Sequence, residues 1–153
     1  MYGGLARNAE LLDAVRSGMD QIRGVDCAVC VPFPYLFQAQ QKLSGSSVKW
    51  GAQNAHQSEK GAFTGEVSAT MLRDFGCSYA IVGHSERRAY FGEDSRLVAE
   101  KFLAVQQAGG TQCQVVLPRR VAAFDDEGEA LGRLQAHLVI EVGIFLAVRV
   151  HRI

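Results

Sequence analysis

Between residues 5 and 107, short apolar runs alternate with stretches whose apolar residues recur at a helical period, and this alternation limits what the chain can fold into. Leu11, Leu12, Val15, Met19 and Ile22 share a helical face and Gly24 follows as a stop, which predicts a helix over 5–22. Residues 27–31, Cys-Ala-Val-Cys-Val, read as a buried strand closed by Pro32-Phe33-Pro34. There follow a helix over 35–43, a strand over 48–53, a polar loop with glycines over 57–66 and a helix over 68–75 capped by Ser68. A strand over 79–82 and a helix over 95–107, opened by Glu93-Asp94-Ser95, complete the series. Strands that alternate with helices across short links predict an α/β fold with a parallel sheet, because each helix carries the chain back to where the next parallel strand starts. Ligand sites in such folds lie beyond the carboxyl ends of the strands.

With 153 residues and a hydrophobic fraction of 48%, the chain fits one domain with a sizeable core. Lys and Arg total 16 and Asp and Glu total 16, so no net field draws it to nucleic acid or to a membrane surface. Its partners are expected to be small molecules or proteins. Met1-Tyr2-Gly3-Gly4 has neither the basic nor the apolar part of a signal peptide, and no segment reaches the roughly 18 apolar residues that span a bilayer. A cytoplasmic location is expected. Cys27 and Cys30 have the spacing of a redox pair or half a zinc site, but no second C-x-x-C exists and Ala28 and Val29 between them are apolar. They are expected to be core cysteines, with no metal site; Cys77 and Cys113 carry no pattern.

In IVGHSERRAYFGEDS, residues 81–95, an imidazole stands where a strand gives way to charge. Gly83 permits a tight turn, and Ser85-Glu86-Arg87 opens a short helix whose first N–H groups face the ring of His84. A ring that accepts such an N–H beside the positive end of a helix is favoured in its neutral form. It is then able to donate to a carbonyl oxygen that gains negative charge. Position alone leaves two readings open, an electrophile and a structural histidine with its hydrogen bonds satisfied.

The residues themselves go further. YAIVGHSERRAYFGE, residues 79–93, resembles the V-G-H-S-E-R-R active-site segment of the triosephosphate isomerase family. WGAQNAHQSEKGAFTGEVSATMLRDFGCSYAIVGHSERR, residues 50–88, is similar to that family's third strand, interface loop and fourth strand, and VCVPFPYL, residues 29–36, to its second strand and the turn after it. The resemblance runs over about residues 1–109. It implies the (β/α)8 TIM barrel, here as an incomplete barrel of about four βα units. It also implies interconversion of dihydroxyacetone phosphate and glyceraldehyde 3-phosphate in glycolysis and gluconeogenesis, without metal or coenzyme, by a homodimer. His84 then becomes the neutral electrophile, a role already known in the family. Glu86 becomes the carboxylate that supports the substrate lysine; its alternative is a solvated first-turn acid favoured by the helix dipole. Ser85 and Arg87 follow as structural and interface residues, Gln53 and Asn54 as site-wall or interface support, and His56 as a structural residue. Thr64 and Glu66 lie in GAFTGE, residues 61–66, which resembles the loop that each subunit inserts into its neighbour; with Arg87 they are the expected dimer contacts.

Three family stretches are missing or incomplete. N-x-K-M-x-G, whose asparagine and lysine bind substrate, would end the first strand, and the chain begins at what resembles its methionine, followed by Tyr2-Gly3-Gly4. A-Y-E-P-V-W-A-I-G-T-G, which holds the glutamate base, has no counterpart: Trp50 is the single tryptophan and no proline follows Pro118. Glu141 in VIEVG reads as a plain strand or helix residue. No substrate-binding residue is identified, and the rival reading is an inactive fragment that at most associates with other subunits. After Gly109 the family's L-T-P-V-L-C-V-G-E-T is replaced by GTQCQVVLPRRVAAFDDEGEALG, so residues 110–153 are expected to form a divergent tail. Read one nucleotide later with suitable codons, residues 117–121 give Cys-Leu-Gly-Glu-Ser, which resembles the missing signature. The tail is therefore either out of frame from about Thr111 or genuinely diverged. An out-of-frame tail is expected to make few contacts with the first 109 residues.

Overall fold

A computed structural model describes residues 3–109, 114–116, 138–141 and 145–150, with side chains described over 3–108. Helix α1 (Leu5–Met19) buries Leu12 and Met19 and stops a turn before Ile22, which finds no core contact and lies exposed. Gly24, at φ +72°, then turns the chain into β1 (Val25–Val31). A 3-10 turn at Phe33–Tyr35 leads into α2 (Leu36–Leu43), whose Leu36, Ala39 and Leu43 form one buried face. Next come β2 (Lys49–Ala52), α3 (Ala69–Asp74) and β3 (Tyr79–Ile81). The Ser68 hydroxyl accepts the Met71 N–H at 3.3 Å and so caps α3. Helix α4 (Ser85–Phe91) ends on Gly92 in the left-handed region, and α5 (Ser95–Gly109) begins with Asp94 accepting the Leu97 N–H at 2.8 Å. Strands β4 (Gln114–Val116), β5 (Leu138–Glu141) and β6 (Phe145–Val150) complete the described elements.

Strands β1 to β4 lie side by side in chain order and all parallel, with Ala28 opposite Lys49, Gly51 opposite Tyr79 and Ala80 opposite Val115. This is the arrangement expected of successive βα units, and it stays open: the sheet order is β4-β3-β2-β1-β6-β5. Strand pleating sends alternate side chains to opposite faces. Cys27, Val29, Val31, Ala52, Ala80 and Val82 point towards Leu12, Leu43, Leu72, Val98 and Val105 of the helices and form the main core. Ala28, Cys30, Tyr79 and Ile81 form a second cluster on the other face. Among the described residues no helix is long and apolar enough to cross a membrane.

The C-x-x-C pair follows from the same pleat. Cys27 and Cys30 are both buried, yet they belong to the clusters on opposite faces of β1, so the two thiols cannot share a metal ion or a disulfide. Burial pushes the Cys27 thiol up to about 11, which keeps it from acting as a thiolate.

The tail departs from expectation. β6 runs antiparallel to β1, pairing Val25 with Val150 through to Cys30 with Phe145, and β5 pairs with β6 in turn. The expectation of few contacts between tail and body is therefore corrected at this edge. β1 would otherwise present a row of unpaired N–H and C=O groups, and the run Phe-Leu-Ala-Val-Arg-Val, rich in strand-forming residues, satisfies them. Cys113 and the frame signature at 117–121 lie outside the described residues.

Candidate active site

His84 stands just past the carboxyl end of β3, where the sheet hands the chain to α4. Val82 is the last residue before the turn that packs into the core, and Gly83 reverses the backbone at φ +68°. A side chain at Gly83 would meet Val98 Cγ1 of α5 at 2.7 Å, so the turn lies directly against that helix. His84 is the residue before the first turn of α4, and its Nδ1 accepts the Glu86 N–H at 3.3 Å. With Nδ1 an acceptor, the ring proton of the neutral imidazole sits on Nε2. Glu86 Oε2 is 3.8 Å from Nδ1, beyond hydrogen-bond reach, and the Glu86 side chain is 66% exposed against 15% for His84.

α4 has seven residues and buries none of them. A helix so short does not hold its place by its own hydrogen bonds. Two arginines hold it: Arg88 Nε donates to the Gly83 carbonyl at 3.3 Å and its Nη1 to Ser95 Oγ at 3.3 Å, while Arg87 Nε donates to Glu93 Oε1 at 2.6 Å. The Arg87 guanidinium also lies 4.6 Å from the centre of the Phe91 ring.

Glu93 is the centre of a network that the sequence reading missed. Its carboxylate is buried, and Lys101 of α5, equally buried, donates to the same Oε1 at 2.5 Å and to Asn54 Oδ1 at 3.0 Å. Burial alone would raise the Glu93 pKa, but the hydrogen bonds and charges of Lys101 and Arg87 outweigh it and hold the carboxyl below its ordinary value. The signal was in α5: Lys101 stands between Val98 and Val105 on the buried stripe, and a lysine there requires a buried counter-ion.

Of the other expected residues, Gln53 donates to the Cys30 carbonyl at 3.2 Å and ties the end of β2 to β1, and Asn54 is absorbed into the Glu93 network. His56 accepts the Ser58 N–H at 3.1 Å and leans on Phe63 with ring centres 4.4 Å apart. The fold thus puts His84, Glu86 and Arg87 on one short element and leaves Thr64 and Glu66 exposed on the separate 57–66 loop.

A family model described as triosephosphate isomerase matches residues 1–115. The triosephosphate isomerase of Nitrosomonas europaea is 51% identical over 142 residues, which cover 93% of this chain and 56% of that protein. That of Thiobacillus denitrificans is 60% identical over 111 residues, 72% of this chain and 44% of that protein. A crystal structure of triosephosphate isomerase from Bartonella henselae superposes with a TM-score of 0.69 at 32% identity, over 76% of this chain and 47% of that one. The chain spans about half the length of the curated relatives it matches. The sheet of consecutive parallel βα units is accordingly part of a TIM barrel. A family match that runs from the first residue through β3, His84 and α5 leaves one conclusion: this chain belongs to the triosephosphate isomerase family.

Proposed function

We propose that this chain is the electrophile-bearing part of an enzyme that interconverts dihydroxyacetone phosphate and glyceraldehyde 3-phosphate. The observation that carries the reading is the His84 ring at the carboxyl end of β3, with Nδ1 accepting the Glu86 N–H and the ring proton on Nε2. Removing a proton from the carbon next to a carbonyl puts negative charge on the carbonyl oxygen, and an N–H aimed at that oxygen lowers the barrier to the enediol. The proton moves between adjacent carbons and no electrons leave the substrate, so no redox coenzyme is required, and the electrophile on the carbonyl oxygen is assigned to the His84 N–H. Glu86, on the same turn, is assigned as the supporting site carboxylate. Within these 153 residues no substrate-binding residue is assigned. Residues 1–109 are assigned the role, and residues 110–153 are assigned as the tail, diverged or read out of frame. Thr64 and Glu66 of the exposed loop, with Arg87, are assigned to contact between two copies.

A chimera tests this reading. Residues 5–109 replace the matching segment of the Nitrosomonas europaea enzyme, and conversion of glyceraldehyde 3-phosphate is followed with and without His84→Gln. The chimera is expected to be active, and His84→Gln to lower its kcat roughly 10²- to 10³-fold, the scale of losing one oxyanion donor. A chimera that folds and associates normally but isomerises nothing refutes the proposal.

A further inference from the structure

We infer that Glu93, buried against Arg87 and Lys101, is a positioning residue that sets the tautomer and orientation of His84 through Arg87. This rests on the reading of His84 as electrophile and names the group that makes the ring ready for that role.

Helix α4 is short and exposed. Its seven residues bury no side chain, so apolar packing does not fix its axis, and Gly92 at its end is free of any contact that a side chain there would meet. Its direction decides where the Glu86 N–H points, and that N–H holds Nδ1 of His84 as an acceptor. The element is held by its arginines. Arg88 reaches only Gly83 and Ser95, at its own N-terminal side and at the start of α5, and both bonds are 3.3 Å long. Arg87 reaches Glu93 at 2.6 Å, and Glu93 is fixed in the body of the fold by Lys101, which Asn54 at the end of β2 fixes in turn. The carboxylate therefore bridges three elements: α4 through Arg87, α5 through Lys101, and the β2 terminus through Asn54. The backbone adds a fourth tie, the Glu93 N–H donating to the Arg87 carbonyl at 3.4 Å.

The charges are matched for this task. Two cations meet one buried carboxylate, and a carboxylate held ionised keeps both bonds charge-assisted and short. Both donors now share the charged Oε1, and an amide in its place offers them only a neutral oxygen. Arg87 would then exchange Glu93 for water at its partly exposed end, α4 would lose its strongest tie, and the Glu86 N–H would no longer stay aligned with Nδ1. Without that bond the two tautomers of a neutral imidazole mix, and the fraction with its proton on Nε2 falls.

The test reads the ring directly, with the full chain and no substrate, so its outcome is separable from that of the isomerase reading. The chain is labelled with ¹⁵N in its histidine rings and recorded at a pH where the rings are neutral, His84→Gln assigning the resonances of His84. Wild type is expected to show two widely separated ring nitrogens at His84, as for one tautomer. In Glu93→Gln and in Arg87→Gln, which leaves the buried Lys101–Glu93 pair intact, these two resonances should converge. His56, bonded to Ser58 and outside the network, should not move and serves as the internal reference. Unchanged His84 resonances in both variants overturn the inference. So does an equal movement of His56 in both, which would reduce Glu93 to a general support of the fold.

Discussion

Gly83→Ala puts the turn before His84 under two separate loads. The residue sits at φ +68°, where an L side chain costs about 1–2 kcal/mol because its Cβ crowds the following carbonyl. The added methyl would also lie 2.7 Å from Val98 Cγ1 and 3.0 Å from Cγ2. Val98 is buried and β-branched, which strongly favours a single χ1 rotamer in a helix, and overpacking of this kind costs about 1–3 kcal/mol. Against this, alanine lowers the entropy of the unfolded chain, worth about 0.4–1 kcal/mol in the other direction. The expected loss is about 2–4 kcal/mol, a large part of the roughly 5–15 kcal/mol that a domain has to spare. Gly92→Ala provides the control, since Gly92 has the same φ of 68° and nothing within 4 Å of the added carbon. It should lose only about 1 kcal/mol, the conformational part less the unfolded-state gain. Both are measured by urea denaturation followed by circular dichroism in dilute solution, with the slope checked for constancy. Val98→Ala in the Gly83→Ala background should recover part of the clash and none of the backbone strain. Equal losses for the two glycine variants would refute the close approach of the β3–α4 turn to α5.

Glu93→Gln should cost roughly 3 kcal/mol near neutral pH, the scale of breaking a buried ion pair from one side. The folded-state pKa of Glu93 lies below 4.5, so its stabilisation is complete above that value and is lost as the pH falls through the folded pKa. The stability gap between wild type and variant should therefore close in acid, and a gap independent of pH would contradict the assignment. Truncation after Gly110 removes β6 from the edge of β1 and β4 from the edge of β3, so it should destabilise the chain by more than about 2 kcal/mol at about 1 kcal/mol per net hydrogen bond. Unchanged stability would show that the tail does not pack. Glu66→Lys reverses an exposed charge on the 57–66 loop and should weaken self-association in sedimentation velocity; identical profiles would reject the loop as an interface.

Local chemistry made much of this protein legible in its sequence. The helix at α2, the buried strand β1, the cap at Ser68, the turn at Gly83 and the acceptor role of the His84 ring all depend on neighbours a few residues away, which local sequence signals record. The parallel order of β1 to β3 follows as well, since short βα links leave few other ways to bury the same faces. Distance along the chain is what hid the rest. Asn54 and Lys101 are 47 positions apart and meet only because β2 and α5 converge over the carboxyl end of the sheet. A lysine between two buried valines announces that it needs a counter-ion, but not which of the acids will be placed beside it. The pairing of β6 with β1 was equally out of reach, because strand propensity marks a segment as willing to pair and is silent on which edge stands open. The local residues decided the elements and the histidine's first hydrogen bond; the tertiary structure alone decided which buried charge pairs with Arg87 of α4 and which strand closes the edge of β1.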